Sequence, residues 1–163
     1  MMLKKFLPVL LLSILVPSVP SVAETMKQLV LVDGRYHKIS SGEPFSGVIE
    51  GQNRGFLKNG LKHGAWVYTY ESGRVKSRGE YRRGQKHGFW EGFYSNGQPF
   101  YKGSFLDGRK QGMWVSYYDD GALFYQGRFD NGKENGPWVG FNPNGSPWAY
   151  RTGFFADGVK LKN

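Results

Sequence analysis

A repeat of 24 residues is the feature that most constrains what this chain can fold into. Segments 63–86, 87–110 and 111–134 align without a gap, and a fourth segment, 135–160, aligns once a two-residue insertion is allowed. Four of the five tryptophans occupy one position of this repeat. Self-similarity at a period of about 20–50 residues is typical of repeat proteins, in which each unit contacts mainly its neighbours. We therefore expect a stack of similar units.

Each repeat is predicted to form a β-hairpin. In the first unit, the aromatic and β-branched residues of segment 66–70 favour one strand, and a second strand is expected at 74–81. Turns are expected at 71–73 and 83–84, because Gly, Asn and Asp adopt the positive φ of tight hairpin turns. The recurring glycine before the tryptophan is expected in the connection between hairpins. The residues that recur at three positions of the repeat are Gly64, Trp66, Gly73, Gly88, Trp90, Gly97, Gly112, Trp114, Gly121, Gly136, Trp138 and Gly145.

Composition excludes several other classes of protein. The chain has 24 glycines in 163 residues, and aromatic residues make up 17%. Disordered chains lack so many aromatics, and helical bundles do not carry so many glycines. Collagen is excluded because the glycines do not recur at every third position. There is no cysteine, so disulfides, thiolate metal sites and cysteine nucleophiles are excluded as well.

Strand alternation predicts which side chains share a face of the sheet. Trp66 and Tyr70 are expected on one face, and the sister residues of later repeats would extend them into ladders. The second strands add a ladder of Tyr81, Phe105, Phe129 and Phe155. Glycines at 79, 103 and 127 are expected to leave room for a neighbouring ring. These rings suit a packed core, and a stripe that binds sugar or peptide remains the alternative.

The N-terminal segment 1–23 is predicted to be a secretory signal peptide. Two lysines precede an apolar run of 11 residues, and small residues follow at the expected cleavage site after Ala23. An uncleaved N-terminal anchor is the alternative, although the run is shorter than the roughly 20 residues that span a bilayer. The mature chain would carry a charge of +7 and lie in the periplasm or outside the cell. Residues 24–46 are predicted to cap the repeat array, which occupies 47–163.

The repeat resembles the MORN repeat in its bacterial variant form. The resemblance lies in the pattern that begins with His63, Gly64, Trp66, Tyr70 and Gly73 and recurs in the later units. It implies an all-β fold, an elongated, twisted antiparallel sheet of successive hairpins. It also implies non-enzymatic roles in membrane attachment, scaffolding and protein–protein contact. Many bacterial relatives are labelled antitoxin components of toxin–antitoxin systems, a role that fits an exported chain only where the toxin acts in the envelope.

Catalytic, cofactor-binding and metal-binding residues are not predicted. His63 and His87 share a repeat position, but Gln111 and Asn135 occupy it in later units. A metal-binding role would not tolerate those replacements. The acidic residues near Asp120 and Asp130 lie where the repeat requires turns, and they lack the spacing of a calcium loop. We expect no enzyme activity and no cofactor.

A basic cluster is the main functional lead in the sequence. Its members are Arg74, Lys76, Arg78, Arg82, Arg83 and Lys86. Alternation places Arg74, Lys76, Arg78 and Arg82 on one face, which could bind anionic lipid headgroups or an acidic partner. We predict a protein-interaction module or scaffold of the cell envelope, with a peripheral membrane adaptor as the alternative. Nucleic acid is not an expected partner for an exported chain, and unpaired sheet edges leave oligomerisation open.

Overall fold

The computed structural model describes residues 23–162, which are almost entirely β-structure. The predicted signal peptide, residues 1–23, lies outside the described part of the chain except for Ala23. The first strand begins at Glu24, directly after the predicted cleavage site. No helix in the described part is long and apolar enough to cross a membrane.

Residues 23–162 contain fourteen strands and one short 3₁₀ helix, Met26–Gln28, joined by turns and loops. The strands are β1 Glu24–Thr25, β2 Leu29–Val32, β3 Arg35–Lys38, β4 Gly47–Glu50, β5 Asn53–Lys58, β6 Leu61–Thr69, β7 Val75–Arg82, β8 Gln85–Phe93, β9 Pro99–Leu106, β10 Arg109–Tyr117, β11 Leu123–Asp130, β12 Lys133–Gly140, β13 Gly153–Ala156 and β14 Val159–Lys160.

One open sheet of 12 strands dominates the molecule. Its order is β1, then β4 to β14 in sequence, so each strand from β4 onward pairs with the next one along the chain. These pairs are antiparallel, and β1 is parallel to β4. Strands β2 and β3 form a separate two-stranded sheet beside the N-terminal end. The prediction of an all-β, mainly antiparallel sheet is confirmed.

Two-residue turns with positive φ at both positions join consecutive strands at one end of the hairpins. Arg83 and Gly84, with φ of 51° and 84°, connect β7 to β8. Positive φ at both central residues defines the type I′ turn, whose twist matches that of the flanking strands. The same conformation occurs at Asp33–Gly34, Asn59–Gly60, Asp107–Gly108, Asn131–Gly132 and Asp157–Gly158.

The prediction that Gly64 and its sisters lie in connections between hairpins is wrong. Gly64 has a φ of 66° and lies inside β6, which begins at Leu61 rather than at Trp66. The equivalent glycine of β8, Gly88, lies in an irregularity of the ladder. There, three residues of β8 lie between His87 and Glu91, whereas one residue of β7, Gly79, lies between their partners Glu80 and Arg78. A β-bulge keeps the strands paired while extra residues are accommodated, so the strand continues through the glycine.

Four buried tryptophans form the core along one face of the sheet. Trp66, Trp90, Trp114 and Trp138 are each 0–3% exposed. Each ring lies over a glycine of the preceding strand, and a Cβ on Gly55, Gly79, Gly103 or Gly127 would come within 2.1–2.4 Å of it. The expectation that Gly79, Gly103 and Gly127 make room for a ring is confirmed. Each indole Nε1 also donates a hydrogen bond to a backbone carbonyl ten residues earlier.

Candidate interaction faces of the sheet

The two faces of the long sheet differ in chemistry. We call the face that carries the four tryptophans the aromatic face. Its rings form a continuous series of edge-to-face contacts from Trp66 through Tyr81, Trp90, Phe105, Trp114, Phe129 and Trp138 to Phe155. We call the opposite face the mixed face. A row of directly paired residues crosses it, namely Arg78, Glu91, Lys102, Val115 and Gln126.

Three lysines lie on the aromatic face at the same position of successive units. Lys62, Lys86 and Lys110 each precede a core tryptophan by four residues. Their Nζ atoms lie 4.7, 4.1 and 4.4 Å from the centroids of those tryptophan rings. Each also lies over the ring that follows in the series, at 4.7–5.2 Å. Cation–π attraction of this kind holds an ammonium group against an aromatic surface.

Burial lowers the pKa of all three lysines. The charge of Lys86 further lowers the pKa of Lys62, and the charge of Lys110 further lowers that of Lys86. The Lys62 ammonium donates a hydrogen bond of 2.7 Å to Tyr68 Oη. Among residues 23–162, no carboxylate forms an ion pair with any of the three. Half-buried ammonium groups therefore lie at one position of three successive units, with no carboxylate of the described residues within ion-pair distance.

The fourth unit breaks this row of lysines. Glu134 occupies the equivalent position, and its carboxylate pairs with Arg151, whose guanidinium lies 5.2 Å from the Tyr125 ring centroid. Burial is the main cause of the lowered pKa of Lys110. The charge of Arg151 lowers this pKa further, whereas the charge of Glu134 raises it. The positive row therefore spans three units and ends where Glu134 neutralises Arg151.

Two tyrosine hydroxyls connect the lysine row to the ring series. Tyr68 Oη donates to Tyr81 Oη at 3.0 Å. Burial raises the pKa of both tyrosines, and the hydrogen bond to Tyr81 raises that of Tyr68 further. Both hydroxyls therefore stay protonated over the ordinary range of pH.

The predicted basic cluster is divided by the structure. Arg78 forms an ion pair with Glu91 at 2.6 Å, and Arg82 forms one with Asp107 at 2.8 Å. The hydrogen bond from Arg82 lowers the pKa of Asp107. Glu91 is the residue opposite Arg78 on the neighbouring strand, so sheet pairing itself brings the two charges together.

The remaining members of the cluster lie apart. Lys86 lies opposite Tyr81 and belongs to the aromatic face, so the structure separates it from Arg78 and Arg82. Arg74 donates to the Ser95 carbonyl, and the Lys76 ammonium lies 5.5 Å from the Tyr70 ring centroid. Arg83 lines an open pocket of about 360 Å³ with other basic side chains. They are Arg35, Lys58 and His63.

The mixed face has exposed apolar side chains that the sequence analysis did not single out. Phe89 is 55% exposed and Met113 is 64% exposed. Both line an open pocket of about 370 Å³, and Phe89 also lines a second one of about 390 Å³ with Arg78 and Glu91. Their position in the repeat is occupied by Ala65 in the preceding unit, and this variability was the available signal.

Comparison with known proteins adds no assignment. Neither the protein-family models nor the curated proteins gave a match to this chain. Within residues 23–162, no group of three or more His, Asp or Glu side chains is placed to hold a metal ion. The two faces of the sheet are therefore the features from which a function is inferred.

Proposed function

We propose that this protein is a non-enzymatic, exported, MORN-like array of hairpin repeats that docks a protein partner on the mixed face of its sheet. One observation carries the proposal. Phe89 and Met113 stay largely exposed on a sheet whose other face buries its tryptophans. Exposed apolar side chains with a charged rim are typical of protein interaction sites.

The rim of this surface suits a protein partner. Lys102 and Gln126 line the first pocket, and Arg78 and Glu91 line the second. Interfaces combine an apolar centre with surrounding polar groups that orient the partner. Two shallow pockets of similar size, in neighbouring units, suit two protruding side chains of one partner.

The peripheral membrane adaptor is the weaker alternative. It depends on the basic cluster, but Arg78 and Arg82 are paired with carboxylates and Lys86 lies on the other face. Each uncompensated cation near an anionic bilayer contributes about 1 kcal/mol, so three remaining cations bind weakly. Flotation with anionic vesicles that is lost in Arg74→Gln/Lys76→Gln/Arg83→Gln would favour the adaptor.

Site-specific photo-crosslinking tests the docking proposal. A photoreactive amino acid replaces Met113 in cells that make the protein, and the matched control carries it at Glu71, an exposed turn residue. We expect one discrete protein adduct from position 113 and none from position 71. Equal adducts from both positions, or none from either, would overturn docking on this face.

Export is tested separately by fractionation and N-terminal sequencing. We expect a mature chain that starts at Glu24 and is released with periplasmic or secreted proteins. Glu24 lies in β1 and pairs with Lys38 at 2.8 Å, so the proposed mature chain retains every strand of the sheet. A chain that keeps residues 1–23 and stays in the membrane fraction would support the uncleaved anchor instead.

A further inference from the structure

We propose that the row of Lys62, Lys86 and Lys110 on the aromatic face binds an acidic peptide segment in the polyproline II conformation, with a carboxylate at every third residue. This site goes beyond the proposed function, because it lies on the face opposite Phe89 and Met113. The two can fail independently.

The lack of an ion-pair partner among residues 23–162 is the first argument for a ligand at this row. The three ammonium groups are half-buried among rings, and the described part of the chain supplies no carboxylate to pair with them. Lys86 and Lys110 also donate no side-chain hydrogen bond to any described residue, whereas Lys62 donates to Tyr68. Partly desolvated cations interact more strongly with an incoming anion than fully hydrated ones do.

Spacing is the second argument, and it selects the conformation of the ligand. Lys62, Lys86 and Lys110 lie on β6, β8 and β10, so two inter-strand steps separate each neighbouring pair. Two steps correspond to about 9.6 Å. A polyproline II helix has three residues per turn and advances about 9.3 Å in that turn, so every third side chain projects from the same edge.

The surrounding rings are the third argument. Tyr101 stacks on Trp114 at 5.5 Å between ring centroids, and Tyr125 lies 5.8 Å from Trp138. Both tyrosines remain partly exposed on the aromatic face, and Tyr101 lies four residues along β9 from Phe105, the residue opposite Lys110. Aromatic surfaces bind polyproline II segments because these ligands are already extended and lose little conformational entropy. The face therefore offers rings for prolines and ammonium groups for carboxylates.

Binding of three synthetic peptides to the purified mature protein tests the proposal. The probe repeats Glu-Pro-Pro four times, the uncharged control repeats Gln-Pro-Pro four times, and the spacing control has the probe's composition with its four Glu residues contiguous. Calorimetry should show the probe binding about tenfold or more tightly than either control, with binding that weakens as salt rises.

Two double variants locate the site. Lys86→Met/Lys110→Met keeps apolar side chains over the rings and should weaken probe binding about tenfold or more. Arg54→Met/Lys58→Met removes two exposed cations from the mixed face and should change binding less than about twofold. Equal losses in both variants, or equal binding of the probe and the spacing control, would show only a general attraction of anions and would overturn the proposal.

A footprint on the unmodified chain keeps the test independent of variant folding. An amine-reactive reagent should label Lys86 and Lys110 more slowly when the probe is bound, while Lys58 labelling stays constant. Unchanged labelling of all three lysines would contradict the proposal. Binding of anionic vesicles that depends on Lys86 and Lys110, without any binding of the probe, would assign the row to lipid and also overturn it.

Discussion

The aromatic face and the mixed face of the sheet use the same repeat in opposite ways. On the aromatic face, every unit keeps the tryptophan and places it over a glycine of the preceding strand. On the mixed face, one repeat position holds Ala65, then Phe89, then Met113. The constant positions therefore hold the strands together, whereas the side chains at the variable position stay outside the core.

Removing a core ring should cause the largest loss in the free energy of unfolding, and the same change on the mixed face should cost little. Trp90→Ala empties a fully buried site and removes the hydrogen bond to the Glu80 carbonyl. We expect a loss of about 3–5 kcal/mol in the free energy of unfolding, measured with urea. The adjacent Phe89→Ser on the mixed face should cost within about 0.5 kcal/mol. Similar losses at both positions would contradict the division of roles.

Filling a glycine site under a ring should have the next largest effect. A Cβ at Gly103 would lie 2.2 Å from the Trp114 ring, so Gly103→Ala should cost about 1–3 kcal/mol of unfolding free energy. The penalty should largely disappear in a Trp114→Ala background, where the ring is absent. Ser104→Ala, on the mixed face, is the matched control and should cost little. An additive double variant would show that the ring contact is not the cause.

The stability contributed by the Tyr68 and Tyr81 hydroxyls of the aromatic face should change at alkaline pH. The pKa of Tyr68 is raised by burial and by its hydrogen bond to Tyr81, so the folded chain keeps a proton that the unfolded chain loses above pH 10.0. Stability from this group therefore falls as pH rises above that value. Tyr68→Phe should cost about 1 kcal/mol at neutral pH, and its disadvantage should shrink above pH 10.0.

The stability contributed by the lysine row should change with alkaline pH in the opposite direction. The lowered pKa values of Lys62, Lys86 and Lys110 mean that the unfolded chain holds more protons between those values and 10.5. Stability from the lysines therefore rises with pH across that window. Comparing the wild type with Tyr68→Phe cancels the contributions of Lys86 and Lys110, which form no hydrogen bond with Tyr68, and Tyr68→Phe/Lys62→Met against Lys62→Met removes that of Lys62. A stability difference that does not change with pH would argue against the buried hydroxyl pair.

Replacing a turn residue should give the smallest change in the free energy of unfolding, and this change should be stabilising. Arg83 adopts a φ of 51°, a conformation that the sister turns give to Asn or Asp. Asn tolerates the left-handed region better, so Arg83→Asn should stabilise the fold by about 0.5–1 kcal/mol in urea unfolding. The reverse change at a sister turn, Asp157→Arg, should destabilise it. Destabilisation by Arg83→Asn would mean that the arginine is held by contacts that contribute more than the turn costs.

Alternation and turn chemistry predicted much of the fold. The type I′ position of Gly84 and the glycine beneath each ring follow from residue types that tolerate few other environments. The position of Gly64 could not be predicted in this way, because a bulge and a turn both favour glycine at positive φ. Only the hydrogen-bonding partners of β6 distinguish the two.

The site was harder to predict because charges were grouped by closeness in sequence. Lys86 follows Arg82 and Arg83 closely, but its spacing of four residues from Trp90 already places it with the rings. The ion pair of Arg78 with Glu91 depends on inter-strand register, which repeat alignment alone does not give. Exposure of Phe89 and Met113 also depends on which face the tryptophans bury.

The most direct test of the docking claim combines a reporter with the loss of both exposed side chains. A photoreactive amino acid at Gln126, which lines the same pocket as Met113, reports on partner contact in cells. It is introduced into the wild type and into Phe89→Ser/Met113→Ser, and urea unfolding of both proteins is measured in parallel. We expect a protein adduct in the wild type that is lost in the double variant, with stability changed by less than about 1 kcal/mol. An adduct that persists in the double variant, or no adduct in the wild type, would contradict the docking claim.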